Sequence, residues 1–267
     1  MPELPEVEVI RRFLNRNIVQ EKIDSLDILY DRSVEFEGDF NASVLCGQRI
    51  CFVDRKGKYL HLGLDRNDLV IHLRMTGQLY FEPEREPKDH IRWVMNFQSG
   101  RKLYFRDVRK FGRLVVHPKG APKFCKNAEI GFEPWEMPLA LWFDELKTER
   151  AIKAVLLDQH ILAGVGNIYA DEALYQSGIH PERKASSLDQ HEANNLLMAV
   201  RVVMEKGIRF GGTTFRDYLG GDGKKGSMQD HLSVYQKTGS KCRKCSGPIS
   251  RIKVAGRSSH FCPRCQK

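Results

Sequence analysis

The chain has 267 residues with a formal net charge of +9; 41% of its residues are hydrophobic and 29% charged. At about 150 residues per domain this predicts two domains, each able to bury a core, and the cationic excess favours a polyanionic partner such as nucleic acid. No apolar run reaches the length of a membrane span, and the first residues are acidic and proline-rich rather than the basic-then-apolar start of a signal peptide, so a cytoplasmic protein is expected.

The chain opens Met1-Pro2-Glu3-Leu4-Pro5-Glu6. Loss of Met1, which the small residue after it permits, leaves Pro2 with a secondary amine outside any peptide bond. An α-amino group titrates near pH 7.7–8.0, roughly, so such a nitrogen can attack a carbonyl-like carbon and form a Schiff base, with Glu3 beside it as a proton carrier. The same residues also read as an ordinary helix start. Val7, Ile10, Phe13 and Leu14 then recur at helical spacing over Pro5 to Arg16.

From Ile23 to His117 the pattern is that of short strands: 49–54, 59–64, 69–73, 78–82, 91–97, 102–105 and 113–117, with a hairpin turn at Ser99-Gly100. Strands without intervening helices predict a sandwich or barrel. Lys58 lies at the mouth of a hairpin, at the edge of the face carrying Leu60, Leu62 and Leu64, where it reaches either a ligand or only solvent. Met75 and the Arg109-Lys110-Phe111-Gly112 turn place apolar and cationic residues on loops, where they also read as satellites of the core.

Residues 118–138 are rich in Pro, Gly and Lys and read as a linker. Helical spacing returns at 139–145, 150–159, 168–177 and 188–206, the last opening on Ser187-x-x-Gln190 as a capping box and ending at Gly207. Between two of these helices, Gly164-Val165-Gly166-Asn167 makes a tight turn whose backbone amides and Asn167 side chain either grip a phosphate or simply close a helical hairpin. Lys153 on the preceding helix reads as part of a basic surface or as a solvated charge. The Gly-, Thr- and Lys-rich stretch from Gly211 to Gly226 reads as a lid or a connection.

Of seven cysteines, four crowd the last 26 residues as Cys242-x-x-Cys245 and Cys262-x-x-Cys265, sixteen residues apart. That spacing predicts one tetrahedral zinc ion with a closed thiolate shell, and so a structural metal propping up a small hairpin. Arg257 falls near the hairpin tip, where a guanidinium can fork onto a phosphate. Cys46, Cys51 and Cys125 lack chelating spacing and read as reduced thiols.

Taken together, Pro2 to Glu8, Lys56-Gly57-Lys58-Tyr59-Leu60, the run from Leu156 to Glu172, Gly211-Gly212-Thr213-Thr214 and the four-cysteine finger ending in Gln266 resemble bacterial formamidopyrimidine-DNA glycosylase along the whole chain. The resemblance implies an α+β architecture: an N-terminal β-sandwich with flanking helices (1–117), a linker (118–138), a helical helix–two-turn–helix domain with a lid loop (139–235) and a β-hairpin zinc finger (236–267), with DNA held in the cleft between domains. It implies a base-excision-repair enzyme that removes 8-oxoguanine and formamidopyrimidines and cleaves the abasic site by β,δ-elimination. Pro2 would be the nucleophile, Glu3 the proton-transferring carboxylate and Lys58 a lysine of the catalytic pocket. Met75, Arg109 and Phe111 would fill the gap left by the everted nucleotide, and Lys153, Asn167 and Arg257 would contact DNA. One structural Zn2+, double-stranded DNA carrying oxidised bases or abasic sites as partner, and a monomer are expected.

Two departures stand out: Val108 occupies a position that is usually proline in the Asp107-Val108-Arg109-Lys110-Phe111-Gly112 turn, and Ser227-Met228-Gln229 lacks the aromatic residue common in the lid. The nearest alternative is the sister endonuclease VIII family acting on oxidised pyrimidines, against which Leu4 and the three wedge residues argue. A non-catalytic zinc-finger DNA-binding protein is the alternative of another class, and it would need neither a free-amine end nor Lys58.

Overall fold

The computed structural model describes residues 1–81, 89–120, 124, 129–214 and 225–267. Two compact units emerge: Met1–Asn127 with Phe210–Gln229, and Ala128–Arg209 with Asp230–Lys267.

In the first unit, α1 (Leu4–Ile18) starts from Glu3 at the N-cap, with Pro5 in its first turn and Glu6 accepting the Glu3 backbone N–H at 2.8 Å, the reciprocal contact of a capping box. Its stripe of Val7, Ile10, Leu14 and Ile18 is buried in a core shared with two sheets. One sheet has the order β1 (Ile23–Ile28), β7 (Ile91–Phe97), β8 (Lys102–Arg106), β6 (Gln78–Phe81). The other runs β2 (Val34–Phe36), β9 (Arg113–Pro118), β5 (Asn67–His72), β4 (Tyr59–Leu64), β3 (Ile50–Lys56). All pairings are antiparallel except β2 with β9. Leu60, Leu62 and Leu64 of β4 and Leu69 and Ile71 of β5 point into the common core with Trp93, Leu103 and Phe105 from the facing sheet.

Seven strands fall where the alternating pattern puts them, within two residues at the ends, and the first two are additional. Ile23–Ile28 carries two Asp and a Ser among its six residues and Val34–Phe36 has only three, so neither makes a period-two signal by itself. Both are strands because β7 and β9 supply the hydrogen-bonding edge.

The second unit contains α2 (Leu139–Glu145), α3 (Ile152–Leu156), α4 (Asn167–Ser177) and α5 (Gln190–Arg209). A short α6 (Met228–His231) and the hairpin of β10 (Ser250–Val254) and β11 (Arg257–Phe261) follow. Three expectations need correcting here. The capping box of α5 is Asp189 with Glu192, whose side chains exchange backbone N–H bonds at 2.8 and 3.1 Å, and not Ser187 with Gln190. That helix continues through Gly207, where an added Cβ would meet the Tyr169 hydroxyl at 2.5 Å; here glycine admits a neighbouring ring and does not end the helix. Helix α3 is shorter than its periodicity because Asp158 and Gln159 turn their side chains onto the backbone of the following loop.

The segment 210–229 groups with the first unit and not with the helical region in which the sequence reading put it. Among its described residues, Thr213 donates its backbone N–H to Glu6 of α1 at 2.7 Å. The core of the expected lid, Gly220 to Lys224, and Cys125 lie outside the described residues.

Lys153 also differs from expectation. It is fully buried, paired with Asp171 Oδ1 of α4 at 2.6 Å, and donates to Ser258 O and Ser259 Oγ of β11 at 2.8 and 2.7 Å. The other Asp171 oxygen accepts the His260 backbone N–H at 2.8 Å. Lys153 is therefore an internal strut joining α3, α4 and the finger hairpin, not the surface charge that the sequence suggests. Replacing Lys153 by Met, of similar length, should leave the Asp171 carboxylate buried without its cation and lower the stability of this unit by about 3–5 kcal/mol. Denaturant unfolding followed by hydrogen exchange at β11 measures this, and an unchanged midpoint would show that the pair contributes nothing.

Candidate active site and nucleic-acid interface

Two catalytic candidates open α1. Pro2 and Glu3 are buried while Met1 is half exposed, so the front of the chain is seated in the fold. Glu6, itself 1% exposed, fixes that seat: one carboxylate oxygen holds the Glu3 N–H and the other the Thr213 N–H.

Lys58 sits in the turn between β3 and β4, after Gly57 with φ of +56°. It is 7% exposed, so it is not a solvated hairpin charge. The turn is clamped by Arg55, which donates to Gly57 O at 3.0 Å and pairs with Glu8 of α1 at 3.1 Å. Burial pushes the Glu8 carboxyl up, but hydrogen bonds from Arg11 and Arg12 and the charge of Arg55 outweigh it and hold Glu8 at about 2. Glu8 is thus a fixed anion tying the Pro2 helix to the Lys58 hairpin. Glu8 closes the Pro2–Glu8 motif, but nothing in the sequence pairs it with Arg55; only the fold brings them together, 47 residues apart in sequence.

His72 lines the same sheet, its ring edge-on to Tyr59 at 4.4 Å. Burial, and then the charges of Arg74 and Lys58, push it down to about 3. It is a neutral imidazole whose Nδ1 accepts the Arg74 backbone N–H at 2.9 Å.

The three wedge candidates converge. Met75 is 42% and Phe111 48% exposed, Arg109 Nη1 lies 3.0 Å from Met75 Sδ, and its guanidinium stands 5.0 Å over the Phe111 ring. A cation held between a thioether and an aromatic face forms one projecting unit from two loops. Beneath it Asp107, 1% exposed, accepts hydrogen bonds from the Thr76 hydroxyl and from the backbone N–H groups of Phe111 and Gly112, the last two at 2.8 and 2.7 Å. Sequence reasoning quoted Asp107 and gave it no task; its only local signal is an acid two residues before Arg109.

In the second unit, Gln159 shapes the turn before α4, accepting the Gly164 N–H at 3.0 Å and donating to Val165 O at 2.8 Å. Asn167 becomes the first residue of α4 behind Gly166 at the N-cap, and its amide donates to Ser258 O at 3.1 Å. Arg257 precedes Ser258 and is exposed at the start of β11, after a two-residue turn in which Ala255 and Gly256 both have positive φ, +46° and +77°. Ser258 O therefore receives both Asn167 and Lys153, which brings Asn167 beside the strand that carries Arg257. Glu172 of α4 gathers the backbone N–H groups of Ser233, Val234 and Tyr235 within 3.0 Å.

The four finger cysteines have Sγ atoms within 4.8 Å of one another, with Cys242–Cys265 at 3.8 Å and Cys245–Cys262 at 3.4 Å. A zinc ion with Zn–S bonds of about 2.3 Å needs tetrahedral edges of about 3.8 Å, so these thiols fit it. Burial pushes the Cys242 thiol up, but the Tyr175 hydroxyl at 3.3 Å and the backbone N–H groups of Cys245 and Lys244 outweigh it and bring Cys242 down to about 6, whereas burial pushes Cys262 up and the neighbouring thiols push Cys265 up, so a cation is needed to hold all four as thiolates. Cys46 and Cys51 are exposed free thiols outside this cluster.

Because the unfolded chain protonates a histidine near pH 6.5 and folded His72 does so only near 3, His72 should cost the fold up to about 1.4 kcal/mol per pH unit as pH falls from 6.5 towards 3. Denaturation midpoints across that range should fall less steeply in His72→Gln than in the parent; parallel curves would contradict the buried, neutral imidazole.

Comparison with known proteins agrees with this geometry. Residues 1–114 match the formamidopyrimidine-DNA glycosylase N-terminal domain, 130–218 its H2TH domain, and 239–267 the zinc finger found in FPG and IleRS. The formamidopyrimidine-DNA glycosylase of Heliobacterium modesticaldum is 43% identical and that of Streptococcus mutans 42%, each over 100% of both chains. Among solved structures, a Lactococcus lactis FPG bound to a Fapy-dG containing DNA superposes with TM-score 0.90 at 38% identity, covering 99% of this chain and 100% of that one. A Lactococcus lactis Fpg with abasic-site DNA also gives 0.90 at 38% identity over 99% of each chain. With all three parts of the family matched in order and relatives more than 40% identical end to end, this chain is a DNA glycosylase of the formamidopyrimidine-DNA glycosylase family.

Proposed function

We propose that this enzyme removes oxidised purines, 8-oxoguanine and formamidopyrimidines, from double-stranded DNA in base-excision repair in the bacterial cytosol, and then cleaves the abasic strand by β,δ-elimination. The observation that carries the reading is the exposed Met75–Arg109–Phe111 unit. Chemistry at a sugar inside a duplex requires its nucleotide to leave the stack, and what remains needs apolar bulk against the neighbouring bases and a cation for the orphaned partner base. The Fapy-dG and abasic-site DNAs bound to the Lactococcus lactis proteins support the same substrate class.

In this reading Met1 is removed, because a peptide nitrogen has its lone pair delocalised. The freed Pro2 nitrogen attacks C1′, the C1′–N bond breaks, and the base leaves with a proton. Glu3 carries that proton traffic from its buried place beside Pro2. The C1′–O4′ bond then opens, O4′ taking a proton, and leaves an iminium that makes the C2′ hydrogen acidic; loss of that hydrogen expels the 3′ phosphate and a second elimination the 5′ phosphate. Lys58 supplies a cation in the pocket, and Asn167 and Arg257 hold phosphates flanking the lesion. One zinc ion, bound by Cys242, Cys245, Cys262 and Cys265, contributes only to shape, since four protein ligands leave no position for a water. The enzyme acts as a monomer.

Borohydride should trap a covalent adduct with abasic-site DNA whose linkage maps to Pro2. Pro2→Gly or a retained Met1 should sharply reduce trapping, and Glu3→Gln should slow base release by about a hundredfold or more. Run in parallel, excision from duplexes containing 8-oxoguanine should exceed excision of oxidised pyrimidines. Linkage to a lysine in the parent enzyme would remove the nucleophile assignment, and a pyrimidine preference would transfer the chain to the endonuclease VIII reading. Metal analysis should give about one zinc per chain, and chelation should unfold the β10–β11 hairpin and release DNA; a metal-free protein with an intact hairpin would contradict the structural role.

A further inference from the structure

We propose that Asp107 is the positioning residue of the gap-filling wedge, its carboxylate locking the Met75 and Phe111 loops into one unit assembled before DNA arrives. The inference rests on the reading of Met75, Arg109 and Phe111 as that wedge.

The wedge residues come from two loops more than 30 residues apart, and each is exposed. Without restraint, their ordering would have to be completed on the DNA and would weaken binding. Asp107 supplies the restraint from below. Oδ1 takes the Thr76 hydroxyl, adjacent to Met75, and the Arg109 N–H at 3.2 Å; Oδ2 takes the N–H groups of Phe111 and Gly112. Thr76 Oγ1 in turn accepts the Arg109 N–H at 3.2 Å, closing a ring between the two loops. The backbone of Asp107 is held as well: its carbonyl accepts Arg92 Nε at 2.7 Å and its N–H donates to His90 O at 3.0 Å. Hydrogen bonds to a buried carboxylate are charge-assisted and about twice as strong as neutral ones.

Two local features show that this carboxylate shapes the turn. Lys110 adopts φ of +61°, a left-handed conformation that an L-residue adopts only when its surroundings enforce it, and the Asp107 bonds to residues 109, 111 and 112 bracket it. At Gly112 an added Cβ would meet the Phe105 ring at 2.4 Å and Asp107 Oδ2 at 3.2 Å, so only glycine brings its N–H this close to the carboxylate. Val108 stands where the resemblance expects proline, and a proline would have fixed φ there. In this chain the turn has no such proline, and the hydrogen bonds to Asp107 hold it.

A residue that acts through the wedge should matter where a duplex gap must be filled and not where there is none. Asp107→Asn retains the volume but turns one acceptor oxygen into a donor facing N–H groups. It should slow single-turnover excision of 8-oxoguanine opposite cytosine by at least about tenfold, the effect of losing one or two charge-assisted hydrogen bonds, and narrow the discrimination between cytosine and adenine opposite the lesion. Borohydride trapping on a single-stranded abasic oligonucleotide, which has no orphaned base, should stay within about twofold of the parent. Thr76→Val should move excision the same way by less, and Thr76→Ser should restore it; this pair carries the test if Asp107→Asn does not fold. Equal loss in both assays, or loss in neither, would overturn the proposal. The Met75→Ala, Phe111→Ala double variant separates the two ideas: if it leaves duplex excision unchanged the wedge reading itself fails, whereas if it slows excision and Asp107→Asn does not, only the role of Asp107 fails.

Discussion

A single carboxylate holds the front of this chain in register with its fold. Glu6 accepts the Glu3 N–H with one oxygen and the Thr213 N–H, 207 residues away in sequence, with the other. Termini are ordinarily the least ordered part of a domain, and the proposed role of Pro2 would require a chain end that does not fray. The capping contact converts that end into the first turn of an anchored helix, whose apolar stripe is buried against both sheets. Being 1% exposed, Glu6 competes with no solvent for these bonds, and an unfilled acceptor there would cost more than an ordinary hydrogen bond contributes.

The same device recurs elsewhere in the fold. Asp107 collects N–H groups under the wedge, Glu172 collects those of residues 233–235, and Asp171 takes the His260 N–H while pairing with Lys153. Glu8 works through Arg55 to the Gly57 carbonyl and so to the Lys58 turn. In each case a buried acid organises backbone that local sequence leaves unpaired, and under Met75, Arg109 and Phe111 it does so while those three side chains remain exposed. Loops that carry function are made rigid in this way without being buried. The net charge of +9 thus conceals a set of buried acids, Glu6, Glu8, Asp107, Asp171 and Glu172.

The finger follows a different logic. Its hydrophobic cluster is small, Tyr175, Val234, Ile249 and the cysteines themselves, so much of its order depends on chelation. The strut of Lys153 and Asp171 then attaches the hairpin to α3 and α4. Because Asn167 and Lys153 converge on Ser258 O, the exposed guanidinium of Arg257 springs from a backbone held on one side by helix starts and on the other by the four thiols.

What the sequence determined by itself was whatever is encoded within a few residues. Alternation located seven strands, helical spacing located α1, α2, α4 and most of α5, and the paired Cys-x-x-Cys spacing located the metal site, because each signal is a repeat shorter than the element it specifies. The family could be named from its motifs, which also pointed to Pro2, Glu3, Lys58, Met75, Arg109 and Phe111 as candidates. Tertiary structure decided the rest. Lys153 looks like any helical lysine until Asp171 and β11 close over it, and Asp107 like any turn acid until Thr76 is brought to it. Strands β1 and β2 exist because β7 and β9 offer them an edge, and segment 210–229 joins the first unit through Glu6. The common reason is that burial and pairing are set by residues distant in the chain, and no local pattern reports which partner a buried charge will find.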